Sequence, residues 1–439
     1  MTRPVQAALL AAVAAIALAA GVTLPGRTVD AASVTTFTPS ERVKVLATGE
    51  LATVDHVLGS RVVVFGDASG AQLRAYPPDA VEPYVPPEPP PTTTPTTPPP
   101  TTPPPTGSAD GWNGFGAGSW PPASWRPYAA SSPFNLAAGT QVHPNSAAIV
   151  QKVLSLGSVG NLVAGNADTT GDYGHPTYYA QPTDPGFTLD WTGGGPGSAI
   201  DGMRIRIPDA ARRAGGDDGH MTVVQPDGWE YDFWRVGSKP RGGGTMTFSG
   251  GGRTRIDGSG LDSGATAANF GNLAGIIRAQ ELAAGRINHA LFIVVKCTAR
   301  GTSFGFGTKT TSNGSMVYPA SHGASACSSD SGDLPPAGAR FALAMTDAQI
   351  EALSVPAWKK TILKALAHYG GYVGDTGGPG LAFQFESGST YTSFGVPDKM
   401  VDFAKTASGL SLWEGKYVFN MASGVDWARY LRVLPPPTP

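Results

Sequence analysis

Along much of this chain, apolar and polar positions alternate in short runs that end at glycine, proline or small polar residues. Such runs at 203–207, 221–224, 229–236, 245–248, 290–296 and 341–344 predict half-buried strands, because successive side chains of a strand point to opposite faces. Glycine-rich stretches at 192–198 and 242–245 divide them as turns. The region 108–439 therefore reads as all-β, a β-sandwich or jelly roll with one or two peripheral helices. The clearest helix is 356–369, where Trp358, Ile362, Leu363, Leu366 and Tyr369 share one stripe. Ser354 is its expected N-cap, Pro356 lies near the first turn, and Gly370-Gly371 supplies the stop. A shorter helix over 347–353 opens with Thr346 and Gln349 at capping-box spacing.

The N-terminal part follows other rules. Residues 1–32 carry one early arginine, an apolar run, then Pro25-Gly26 and small residues, the layout of a cleaved secretory signal. An uncleaved anchor is the weaker alternative, since a run rich in alanine inserts poorly. Residues 33–83 hold apolar runs at 42–46, 61–65 and 72–76 and predict a small β module or a partly ordered neck. Residues 84–107 are nearly all proline and threonine, a semi-rigid extended linker that cannot build a core. The chain has 439 residues, with 58 glycines and 40 prolines marking it as turn-rich. Its 31 basic against 33 acidic residues lack the positive excess that a nucleic-acid partner requires. Two cysteines exclude a disulfide scaffold and a cysteine-rich zinc site; on an exported chain, Cys297 and Cys327 are expected to pair. A secreted monomer without a membrane span after signal cleavage is the expectation.

Candidate chemistry concentrates in residues 217–234. Gln225-Pro-Asp-Gly228 suits a type I turn with a left-handed glycine, which makes a three-residue hairpin loop with a bulge. That turn sets Thr222 opposite Asp232, Val224 opposite Glu230 and His220 opposite Trp234. Met221, Val223, Trp229, Tyr231 and Phe233 then form an apolar face. Asp218, His220, Thr222, Glu230, Asp232 and Trp234 form the other. Carboxylates and an imidazole on rigid neighbouring strands can act as general acid and base, with Trp234 as a sugar platform. The same groups on a solvated outer face would carry no chemistry.

Further candidates are Arg278, Asn288 and His289, which lead into the apolar run 290–296, together with His322 and Tyr178 as groove-lining residues. No cofactor or metal is expected, a metal held by His220 and the carboxylates being the lesser reading. The motifs Asp218-Gly-His220, Tyr231-Asp232-Phe233, 275–291 and 319–322 resemble those of a largely unassigned group of secreted bacterial β-sandwich proteins. The resemblance covers roughly residues 130–400, and Asp232 stands where that pattern more often has glutamate.

The expected function is a secreted carbohydrate-active enzyme that cleaves a polysaccharide or cell-wall glycan. In a glycoside hydrolase, Asp218 and Asp232 or Glu230 would be the acid/base pair, with His220 orienting or shuttling a proton. In a polysaccharide lyase, the lesser version, His220 or His289 would take a proton from a uronic acid whose carboxylate Arg278 neutralises. A non-catalytic glycan-binding or cell-surface protein is the alternative. A peptidase or esterase ranks last, because neither a Gly-x-Ser-x-Gly elbow nor a His-Glu-x-x-His motif is present.

Overall fold

The computed structural model describes residues 37, 42–48, 51–58, 61–66, 73–83 and 114–437, the last without 302, 304 and 329–331. The expected signal (1–32) and linker (84–107) lie outside the described residues. The chain divides into two compact units, Met1–Pro100 and Thr101–Pro439. Among the described residues no helix is long and apolar enough to cross a membrane.

In the first unit, β1 (Arg42–Val45), β2 (Leu51–Leu58), β3 (Arg61–Gly66), β4 (Leu73–Tyr76) and β5 (Val81–Pro83) form one antiparallel sheet in the order β4-β3-β2-β1-β5. Phe37, Val43, Val45, Ala52, Val54, Val62, Val64 and Val81 bury a small core on it. The three apolar runs of residues 33–83 thus belong to a β module.

The second unit is mostly β. Its strands are β6 (Leu162–Ala164), β7 (Thr177–Tyr179), β8 (Gly186–Trp191), β9 (Arg204–Arg206), β10 (Met221–Val224), β11 (Trp229–Val236) and β12 (Gly244–Arg255). Then follow β13 (Leu291–Val295), β14 (Lys309–Thr310), β15 (Ser315–Met316), β16 (Arg340–Leu343), β17 (Gly371–Thr376), β18 (Leu381–Phe383), β19 (Ser411–Trp413), β20 (Lys416–Phe419) and β21 (Leu431–Val433). Two sheets dominate. One has the order β7-β10-β11-β12-β8-β9 and the other β18-β13-β17-β16-β21. Three pairs, β7 with β10, β8 with β12 and β13 with β17, are parallel. Parallel neighbours are joined by long connections, so hairpin spacing in the sequence does not announce them.

The two sheets share a core. Tyr179 and Val224 of the first and Phe292 and Tyr372 of the second belong to one buried cluster. On the outer side of the first sheet, Met221, Val223, Tyr231 and Phe233 pack with Phe187, Leu189 and Phe248. On the far side of the second, Leu291, Ile293, Val295 and Val373 pack against helices, notably α1 (Ser146–Ser155) and α2 (Ala357–His368). Several helices accompany the sheets where one or two were expected. The stripe of Trp358, Ile362, Leu363 and Leu366 is buried as its periodicity requires. This helix opens from Pro356 without a side-chain cap rather than from Ser354, and Gly370 at φ +67 ends it. The shorter helix, Asp347–Glu351, has the capping box, with Thr346 N–H donating to Gln349 at 2.8 Å and Gln349 N–H to Thr346 at 3.2 Å.

Cys297 and Cys327 form a disulfide across a separation of 30 residues. The hairpin of β10 and β11 has the register its turn dictates, with Met221 opposite Phe233, Thr222 opposite Asp232 and Val224 opposite Glu230. Gly228 N–H donates to the Gln225 carbonyl at 3.0 Å and Gln225 N–H to the Trp229 carbonyl at 2.7 Å. Gly228 sits at φ +84, where a Cβ is strained. Gly228→Ala is expected to cost roughly 1–2 kcal/mol of stability, measured by urea unfolding. No loss would show that the turn relaxes to another type.

Candidate functional site

The polar face of the hairpin is turned inward, towards the second sheet. Glu230, Asp232 and Thr222 are fully buried and His220 is 3% exposed. The solvated-face alternative is thereby excluded, but so is direct contact of Glu230 or Asp232 with a polymer. Their carboxyl groups are satisfied from inside the protein. Tyr128 Oη donates to Glu230 at 2.8 Å and the Leu273 amide at 3.0 Å. Thr222 Oγ1 donates to Asp232 at 2.8 Å and the Asn272 amide at 3.0 Å. Burial raises both acids, Glu230 to about 7, while Asp232 is pushed well up by burial and by the neighbouring Glu230. With the charge of Glu230 raising Asp232, the two do not readily ionise together. Asp232 and Glu230, the expected acid, are thus bonded within the interior.

What they position is the segment of Asn272 and Leu273, whose carbonyl side leads to the cavity. The Asn272 carbonyl accepts from His175 Nδ1 at 3.0 Å, which places the ring proton on Nδ1 and leaves Nε2 a lone pair. His175 lies at the entry to β7 and its ring centroid is 4.6 Å from that of His220. Burial lowers both imidazoles, His175 to about 3, helped by His220 beside it, and His220 to about 4. Both are neutral at ordinary pH.

The two histidines line a cavity of about 560 Å³ together with Asp218 and Asp375. Asp218 precedes β10, and the Trp234 indole N–H donates to its Oδ1 at 2.9 Å. Gly219 at φ +46 and Arg235 at φ +52 interrupt the ladder here, so His220 and Trp234 are not a regular strand pair. Asp375 comes from β17 in the second sheet. Burial, with Asp218 as a further negative neighbour, raises its carboxyl to about 7. Phe292 of β13 also lines the cavity, its ring 5.7 Å from His175. The rest of the wall includes Asp172, Tyr173, Glu386 and Asp398. Asp172 accepts from Ser387 at 2.7 Å and Glu386 from Tyr391 at 2.7 Å. Burial raises Glu386 to about 7 and shifts Asp172 and Asp398 upward too.

The other expected residues are elsewhere. Arg278 and His289 form a buried cluster with Glu281: Arg278 donates to Glu281 at 2.8 Å and His289 Nε2 lies 3.0 Å from the same oxygen. Burial alone would raise Glu281, but Arg278 and His289 outweigh it and hold the carboxyl at about 2. Neither lines the cavity, so neither takes part in chemistry there. Arg278 instead ties down the segment after Pro122, donating to the Trp125 carbonyl at 2.6 Å. Asn288 offers its backbone carbonyl to Arg126 at 3.3 Å, and His322 is exposed outside the cavity. Tyr178 is a core residue whose hydroxyl bonds the Arg212 carbonyl at 2.6 Å. Trp234 is no open platform, because the Arg235 guanidinium lies 4.3 Å from its ring centroid and Gly250 packs on its edge. Among the described residues no group of three or more His, Cys, Asp or Glu side chains is placed to hold a metal.

His175 and Asp375 were absent from the expected set. His175 reaches the site through the parallel pairing of β7 with β10, and Asp375 through the packing of one sheet on another. Compared with known proteins, the chain matches no family, no curated protein and no solved structure.

The Glu230–Asp232 pair has a pH signature. Unfolded carboxyls lose their protons near pH 4, whereas here Glu230 holds its proton to about 7 and Asp232 is also raised. Between those values the folded state binds more protons, so the pair's contribution to stability falls as pH rises. Asp232→Asn, destabilised by roughly 1–3 kcal/mol near pH 4, should narrow its deficit against wild type as pH approaches 8. Urea midpoints of both proteins across that range test it, the neutral histidines being common to both. A deficit that does not change with pH would refute the raised carboxyl of Asp232.

Proposed function

We propose that the second unit is an exported glycoside hydrolase acting from the cavity shared by Asp218, Asp375, His175 and His220. The observation that carries this reading is the unlike pair of carboxyls. Asp375, raised to about 7 by burial and by Asp218, retains a proton near neutrality. Asp218 is anchored by the Trp234 indole in a half-buried position. Two carboxyls whose surroundings differ in this way are the arrangement that splits acid and base roles in glycoside hydrolysis.

In this mechanism Asp375 gives its proton to the departing glycosidic oxygen. Asp218 either attacks the anomeric carbon or draws a proton from water. The neutral histidines orient sugar hydroxyls: His175 offers the Nε2 lone pair left by its bond to Asn272. Tyr173, half exposed at the wall, offers a ring on which a sugar can stack. The eliminative alternative loses its support, since it needs a cation beside the uronate and Arg278 is held by Glu281 away from the cavity. Kinship with the secreted bacterial β-sandwich group belongs to the same proposal.

Reducing-sugar release from a polysaccharide panel tests the reading. Asp375→Asn and Asp218→Asn should each lower the rate by about 10²-fold or more, and His322→Ala should leave it unchanged. Full activity in both carboxyl variants would overturn the assignment. Tight glycan binding without turnover would make the domain a binding module.

A further inference from the structure

We infer that the glycan taken by this cavity carries free amines, as a glucosamine-type polymer does; this deepens the hydrolytic reading and rests on it. The whole chain is close to charge balance, with 31 basic against 33 acidic residues. The cavity is not. Asp172, Asp218, Asp375, Glu386 and Asp398 line it, and no lysine or arginine does among the described residues. Lys416 comes near at Gly171, but its Nζ lies over the Trp413 ring, 5.7 Å from the centroid.

A second feature points the same way. His220 lines the cavity at 3% exposure, and its Nδ1 has no hydrogen-bond partner. His175 has its Nδ1 proton committed to the Asn272 carbonyl, so its Nε2 is also an acceptor. The wall is thus rich in acceptors, its carboxyl oxygens and one nitrogen of each neutral imidazole, and has no cation among its lining residues. An ammonium group is a donor with three hydrogens and no lone pair, and it complements such a wall. A uronate or sulfate is an acceptor only and would meet no cation. An N-acetyl group is neutral and bulkier, and draws little from the acids. Carboxyls outside the reacting pair, such as Asp172, Glu386 and Asp398, are raised mainly by burial and supply counter-charge once an ammonium enters.

The test compares wild-type protein on a glucosamine hexamer, its fully N-acetylated counterpart, a neutral glucan hexamer and an oligouronate. The expected kcat/KM on the free-amine hexamer is at least tenfold above each of the others. Glu386→Gln, which alters an acid outside the reacting pair, should raise KM for the amine hexamer about tenfold and leave kcat unchanged. The wild-type comparison stands by itself if that variant fails to fold. Equal or better turnover of a neutral, acetylated or acidic oligomer overturns the inference while leaving hydrolysis intact. Calorimetry separates the opposite case: tenfold tighter binding of the amine hexamer without turnover of any glycan supports the inference and removes the hydrolase. Indifference to the amine in binding as well as turnover overturns it.

Discussion

Two carboxyl groups buried between sheets hold the site together. Glu230 and Asp232 alternate with Tyr231 on one strand, so they share a face, and that face meets the second sheet rather than water. Burying two acids is costly unless protons and donors compensate. Here burial keeps both acids raised and so limits their charge, and Tyr128, Thr222 and the amides of Asn272 and Leu273 satisfy the oxygens. Because the Asn272 amide is held on one side, its carbonyl is fixed on the other, and that carbonyl sets the tautomer of His175. The chain of contacts from Tyr128 to the imidazole is rigid because each member is buried and bonded.

The cavity itself combines opposite electrostatic tendencies. Desolvation drives His175, His220, Asp375 and Glu386 towards their neutral forms: these acids up, the imidazoles down. Asp375 and Glu386 can therefore donate protons near neutrality, while the two histidines, already neutral, can take one up. Elsewhere the same burial is answered by counter-charge, as between Arg278 and Glu281, and there both groups stay charged. Burial with a counter-ion makes a strut; burial without one makes a group ready to move a proton.

Much of the local structure was legible in the chain. The hairpin register followed from Pro226, Asp227 and Gly228, the helix stripe from the spacing of Trp358 to Leu366, and the Cys297–Cys327 bond from there being two cysteines. Asp218 and His220 were rightly placed together. The burial of Asp232 and Glu230 is not legible in the chain, because alternation separates two faces without saying which neighbour covers each. Trp234 was misread for a similar reason: a strand pattern does not reveal that Arg235 and Gly250 occupy its ring.

The sequence by itself determined short-range matters: turn type, strand alternation, helix stripe and the residues that share one side of a hairpin. These depend on backbone dihedrals and on neighbours within about ten positions. Only the tertiary structure decided which side is buried, and that His175 and Asp375 join Asp218 and His220. Both arrive by contacts between distant segments, a parallel strand pair and a sheet packed on a sheet, whose formation depends on the whole core and leaves no periodic mark in the chain.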